Sequence, residues 1–129
     1  MNKHVVNKDK LGMFLSGLCI IHCLLTPLTL LLLGSSALLG WFASEWIHVA
    51  LYLPVVLLVL ISIIPTCIHL KAYRLLFLAA AGLIAMTVSF GFHGAAELVL
   101  SIVGAACIFT AHFMNLRLQR RCLSANLLP

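Results

Sequence analysis

Charge is what this sequence has least of. Its 129 residues hold three acidic side chains, Asp9, Glu45 and Glu97, and eight basic ones. Charged residues make up 9% of the chain and hydrophobic ones 64%, with a mean hydropathy of +1.19. A soluble domain carries roughly 25% charge, so no water-facing surface can be built from this composition. Carboxylates are also too few and too scattered for a Ca(II) or Mg(II) cage. Ser, His and Asp assemble no hydrolytic set, since Asp9 reads as part of a polar leader, and no enzymatic activity is expected. There is no Gly-rich phosphate loop to support ATP-driven movement.

Other absences narrow the membrane classes. A b-type haem needs a second histidine at the depth of His22, and every other span histidine lies near a helix end. The outer connections contain no cysteine pair of the kind a quinone-linked disulfide catalyst uses. Glu45 and Glu97 both fall at the outer edge, so a proton-coupled exporter with an acidic residue inside the membrane is not expected.

What remains is long and apolar. Leu11–Ser44, Trp46–Leu70, Leu75–Ala96 and Leu98–Leu116 are free of charge, and each approaches or exceeds the ~18–20 residues that cross a hydrocarbon core. The expected fold is an all-α membrane protein, a four-transmembrane-helix up-down bundle forming a single domain over 1–129. Its helices are expected at about 11–33, 47–68, 75–92 and 95–116, with polar tails at 1–10 and 117–129. The first run exceeds the ~7–15-residue core of a signal peptide and is followed by three more spans, so a retained helix is expected. The sequence carries no evident repeat, low-complexity tract or soluble domain.

The net charge of +5 sits in three places: Lys3, Lys8 and Lys10; Lys71 and Arg74; Arg117, Arg120 and Arg121. The other two connections hold Glu45 and Glu97 but no Lys or Arg. This is the positive-inside pattern at every connection. It places both termini in the cytoplasm and makes the cations topology signals rather than a nucleic-acid surface. GSSALLG, from Gly34 to Gly40, reads as an outer turn, with Trp41 and Trp46 as interfacial aromatics. Pro54 and Pro65 fall inside the second helix. Ala81, Ala85 and Ser89 on the third, with Gly94, Ser101, Gly104, Ala105 and Ala111 on the fourth, predict a close pair.

Chemistry concentrates in CIIHCLLTP, residues 19 to 27. Cys19 and Cys23 are related by i, i+4 and Cys19 and His22 by i, i+3, so all three share a helix face. Counting from Leu11 at 1.5 Å per residue puts Cys19 about 12 Å deep and Cys23 about 18 Å deep, near the bilayer middle. One cysteine there is an ordinary packing residue. Two beside an imidazole, where polar groups are costly, point to a ligand site. Pro27 removes the helical partner of the Cys23 carbonyl and is expected to kink the helix, with Thr26 and Thr29 near enough to re-satisfy it. Thiols and imidazole suit Hg(II), Cu(I), Zn(II) or Cd(II), and no permanent cofactor is expected.

Secondary metal or relay candidates are Cys107 on the fourth helix, Cys67 and His69 near the inner end of the second, and His112 and Asn115 on one face of the fourth. The last two pairs read equally well as polar contacts between helix ends. His48, His93 and Glu97 gather toward the outer surface as a candidate point of metal admission. Cys122 in the tail is a candidate acceptor thiol.

CIIHCLLTPL, the KAYR connection, the His–Glu pair around FHGAAE and the closing HFMNLRLQRRC resemble the MerC-like family over nearly the whole chain. Its members are small four-helix inner-membrane proteins, the founding ones from bacterial mercury-resistance systems. The resemblance implies a bacterial inner-membrane location, capture of a mercuric ion by Cys19 and Cys23, and inward movement. His22 would be a third ligand or proton acceptor, and His112, Cys107 or Cys67 the inner receivers. Mercury-operon members space their two first-span cysteines two residues apart; here three residues intervene, one of them His22. Hg(II) is thus favoured with Zn(II), Cd(II) and Cu(I) left open. The expected partners are the lipid bilayer and a cytoplasmic thiol acceptor or periplasmic metal donor, and the narrowness of a bundle of four short helices makes a homodimer a reasonable expectation. A non-transporting metal or redox sensor, or an accessory subunit of a membrane complex, is the alternative.

Overall fold

Hydrocarbon offers a backbone no hydrogen bonds, so apolar runs of this length must satisfy their own as helices. The computed structural model describes residues 3–34, 40 and 45–126, and is helical with short turns and no strand among them. The elements are α1 (Lys3–Leu33), α2 (Glu45–Leu58), a π-helical turn (Val59–Ile63), α3 (Ile64–Leu70), α4 (Tyr73–Ser89) and α5 (Ala95–Asn126). Among the described residues, three helical stretches are long and apolar enough to cross a membrane: Asn7–Leu33, Trp46–Leu70, which runs through α2, the π turn and α3, and Ala95–Cys122. Tyr73–Ser89 is apolar but shorter, at 17 residues. The turn expected at GSSALLG, apart from its two glycines, and Trp41 lie outside the described residues.

The molecule is inside out relative to a soluble bundle. Leu31, Trp46 and Phe77 are 84%, 79% and 78% exposed, while Asp9, Ser62, His112, Asn115 and Gln119 are completely buried. An apolar exterior with polar clusters gathered inside an otherwise apolar core is what a lipid solvent selects, because polar groups there must find one another.

Two helix ends differ from expectation. α1 begins at Lys3 rather than near Leu11, and α5 continues to Asn126 rather than stopping near Leu116. Neither extension contains the Gly or Pro that would break it, and Arg, Gln, Leu and Lys are good helix formers. Asp9 is therefore not part of a solvated tail. It stands on α1 with no exposed surface.

The π turn lies one turn ahead of Pro65. Pro65 has no N–H and its ring crowds the carbonyl of residue 61, so the ladder shifts: the Ile64 N–H reaches the Val59 carbonyl five residues back. This widened turn carries Ser62 on its buried side. α5 packs along both α1 and α4, and α2 packs on α1.

The close helix pair forms with Ser89 in it as expected, but Ala81 and Ala85 give way to Ala79, Gly82 and Met86. Ala81 is exposed and Ala85 partly so, whereas Ala79, Gly82, Met86 and Ser89 are buried. The backbones meet where Gly82 faces Gly104: a Cβ on either glycine would lie 2.8 Å from the other's carbonyl oxygen. The Ser101 hydroxyl donates to Ser89 Oγ at 3.0 Å, and Ser89 donates onward to the Met86 carbonyl at 2.7 Å. Gly94, assigned to the same contact by sequence, instead turns the chain into α5 with φ +73°.

Candidate functional site

One buried stripe on α1 organises the interior. Asp9, Gly12, Ser16, Cys19 and Cys23 recur at spacings of three and four residues, and all five are buried. That spacing keeps side chains on a single helix face. From Asp9 to Cys23 the stripe runs about 21 Å at 1.5 Å per residue, with a polar cluster at each end.

At the Cys23 end, α2 supplies the partner. His48 Nε2 lies 3.9 Å from Cys23 Sγ, and His48 Nδ1 lies 3.5 Å from Glu97 Oε1 on α5. Cys19, one turn away, is within interaction range of Cys23. The order is thiol, imidazole, carboxylate. In the tautomer that carries its proton on Nδ1, toward Glu97, the ring would present a lone pair to the thiol, the arrangement by which an imidazole accepts a thiol proton. An open pocket of about 490 Å³ reaches Cys23, lined also by Thr26, Pro27, His48, Gly94 and Glu97. Cys23 thus shares a cavity with Gly94 and the start of α5.

His22 stands half-buried beside this group rather than between the thiols. Its ring meets that of His48 edge-on at 5.2 Å, and its Nε2 is 3.5 Å from Thr26 Oγ1. The threonines do not cap the Cys23 carbonyl. Thr26 donates to the His22 carbonyl at 2.8 Å and Thr29 to the Thr26 carbonyl at 2.9 Å. Each hydroxyl has one proton to give, and both spend it within α1.

At the other end three side chains converge on Asp9 through four contacts. Oδ1 accepts from Ser62 Oγ at 2.8 Å and faces His112 Nδ1 at 2.9 Å; Asn115 Nδ2 reaches Oδ1 and Oδ2 at 3.0 and 2.9 Å. One turn further along α5, Gln119 donates to Thr66 at 3.2 Å. Three separate helical segments are tied here by one carboxylate. The His112 ring fits only because residue 12 is glycine; a Cβ there would sit 2.5 Å from Nε2. His112 Nε2, Asn115 Oδ1, Gln119 Oε1 and Ser16 Oγ are buried without a hydrogen-bond partner.

The remaining sequence candidates separate. Cys67 is 1% exposed and packed in the apolar core, with its carbonyl accepting from the backbone N–H of Ala72, while His69 points outward. Cys107 is partly buried where α4 and α5 cross over Gly82. Cys122 is partly buried on the extended α5, and His93 is exposed on the turn before it. Among the described residues, no three His, Cys, Asp or Glu side chains are gathered as a ready-made metal cage. The cysteine pair is the densest soft-ligand set.

Sequence reasoning placed His48 with Glu97 in an outer cluster but did not join it to Cys23, and it missed Asp9 as an interior residue. His48 sits about 5 Å into α2, whereas Cys23 is about 15 Å from the end of α1, so counting from helix ends assigns them different depths. They meet because α1 overshoots, leaving Leu31, Leu32 and Leu33 exposed. Asp9 was hidden between Lys8 and Lys10. Its signal was register, since it continues the spacing of Cys23, Cys19, Ser16 and Gly12.

A family model described as MerC mercury resistance protein matches residues 9–117. The matched stretch spans both clusters except Gln119. No curated protein and no solved structure matches the chain.

Proposed function

Because the chain belongs to the MerC mercury-resistance family of membrane proteins, we propose that it carries mercuric ion inward across the bacterial inner membrane by exchange between thiols. The observation that carries this reading is the Cys19–Cys23 pair lying behind an open pocket with His48 and Glu97. Two thiolates in one helix turn match the preference of Hg(II) for soft ligands and few of them. Capture replaces two S–H bonds by two S–Hg bonds and releases two protons. His48 is placed to take the first from Cys23 and Glu97 to steady the imidazolium so formed.

In this reading Tyr73–Ser89 is a short fourth span and both termini are cytoplasmic. The gathering of Lys71, Arg74, Arg117 and Arg121 around one pocket supports a single cytoplasmic end for the α3–α4 turn and late α5. The ion would leave the thiols along the α1 stripe toward His112, whose Nε2 has no partner, or through Cys107 or Cys67 to a cytoplasmic thiol. No nucleotide drives the step; a cytoplasmic thiol sink does.

The test is uptake of Hg(II), Zn(II), Cd(II) and Cu(I) by cells or vesicles carrying the wild type or a Cys19→Ser, Cys23→Ser variant. Loss of Hg(II) uptake in the variant supports the carrier. Equal uptake of every ion by both forms sinks it. Metal binding without transport would identify a sensor built on the same thiols.

A further inference from the structure

Eight Lys and Arg side chains serve the whole chain, and four of them line one cavity. Lys71, Arg74, Arg117 and Arg121 surround a pocket of about 670 Å³ between the α3–α4 turn and α5, with Leu75 and Met114 contributing apolar wall. All four cations are exposed. No ion pair joins any of them to a carboxylate among the described residues, and no acidic side chain lines the pocket. Arg117 lies over the Phe113 ring at 4.3 Å, which fixes its guanidinium beside the cavity. Like charges held together without a counter-charge repel, so the pocket is electrostatically incomplete without an anion.

The pocket's place in the fold says which anion. It opens where the Trp46–Leu70 stretch ends and α4 begins, and its apolar wall continues onto the exposed aliphatic surface of the spans. A fully hydrated anion has no use for Leu75 and Met114. An anion carrying acyl chains satisfies cations and wall together. We propose that this pocket seats the phosphate of an anionic phospholipid, with Arg74, Arg117, Arg121 and Lys71 as its ligands and the acyl chains lying along α4 and α5. The site is independent of the metal pathway.

Native mass spectrometry of the purified chain in neutral detergent tests it, with phosphatidylglycerol, phosphatidylcholine and inorganic phosphate as separate probes. The wild type should retain one phosphatidylglycerol and no phosphatidylcholine. A Lys71→Gln, Arg74→Gln variant should retain it at least about fivefold less, while Arg74→Lys keeps it. Raising the ionic strength from about 0.05 to about 0.5 M should strip the lipid from the wild type, a readout that needs no variant to fold. Equal retention of both lipids, or retention indifferent to salt, would overturn the proposal. So would displacement of the lipid by an equal concentration of inorganic phosphate.

Discussion

His112 Nδ1 lies 2.9 Å from Asp9 Oδ1, a contact between residues 103 positions apart that closes α5 onto α1. Both side chains are fully buried, in a chain that exposes much of its apolar surface. The pair does for this end of the bundle what apolar packing does for a soluble one: it selects which helices meet and at what height.

Replacing Asp9 with Ala takes away the carboxylate that receives Ser62, His112 and Asn115, leaving among these groups only the long 3.4 Å contact from Asn115 to Ser62 Oγ. Removing one partner from a buried charged network costs about 3–5 kcal/mol. The expected outcome is a large drop in melting temperature in detergent, followed by circular dichroism. Asp9→Asn keeps an acceptor oxygen and should cost less, about 1–3 kcal/mol.

Glycines offer a graded test of the packing. Gly12→Ala drives a methyl into the His112 ring and Gly104→Ala drives one into the Gly82 carbonyl, whereas nothing lies within 4 Å of a methyl at residue 17. The first two should destabilise by about 1–3 kcal/mol. Gly17→Ala should be neutral or stabilise by up to about 1 kcal/mol through helix propensity. If all three melt alike, the close approaches are not where they are described.

Mercuric binding at the two thiols should be proton-linked. Below the ordinary thiol range each proton released lowers apparent affinity about tenfold per pH unit, so two thiols give about a hundredfold and one gives about tenfold. Competition titrations at several pH values should yield the steeper slope for the wild type and the shallower for either single Cys→Ser variant. A slope of one for the wild type would remove one of the cysteines from the site.

His48→Phe keeps a ring of similar shape beside Cys23 but has no nitrogen to accept its proton. Equilibrium binding at high pH should be little changed, while the rate of metal capture at neutral pH falls by about 10²-fold or more, the range for loss of a positioned base. Glu97→Gln should slow capture less, because the ring remains. Stopped-flow measurement of capture separates rate from affinity.

The parts of this molecule legible in sequence are those encoded within one or two turns. Cys19 and Cys23 announced a shared face by spacing alone, and the charge-free runs announced helices in lipid. What sequence did not yield depends on how far one helix slides along another. His48 reaches Cys23 because α1 overshoots the start of α2, and no local spacing reports an overshoot. Asp9 looked solvated because its neighbours are lysines, yet its own register continued the cysteine stripe. The small-residue contact was correctly assigned to the last two helices, but α4 is rotated so that Ala79 and Gly82 face inward instead of Ala81 and Ala85. With several small residues on every face of α4, composition could not choose among them.

The π turn at Val59–Ile63 has a consequence for how this chain tolerates change in length. A turn closed five residues back holds one residue more than an α-turn over the same rise. It is a spare link, placed between His48 at one end of the Trp46–Leu70 rod and Thr66 at the other. Deleting a residue at 59, 60 or 61 would consume the slack and leave His48 facing Cys23 and Thr66 facing Gln119 as before. Deleting one at 50 to 53 would swing His48 by about 100° around the rod, the rotation per residue of an α-helix, and detach it from Cys23. The two ends of this helix are thus geared together through a joint that absorbs one tooth.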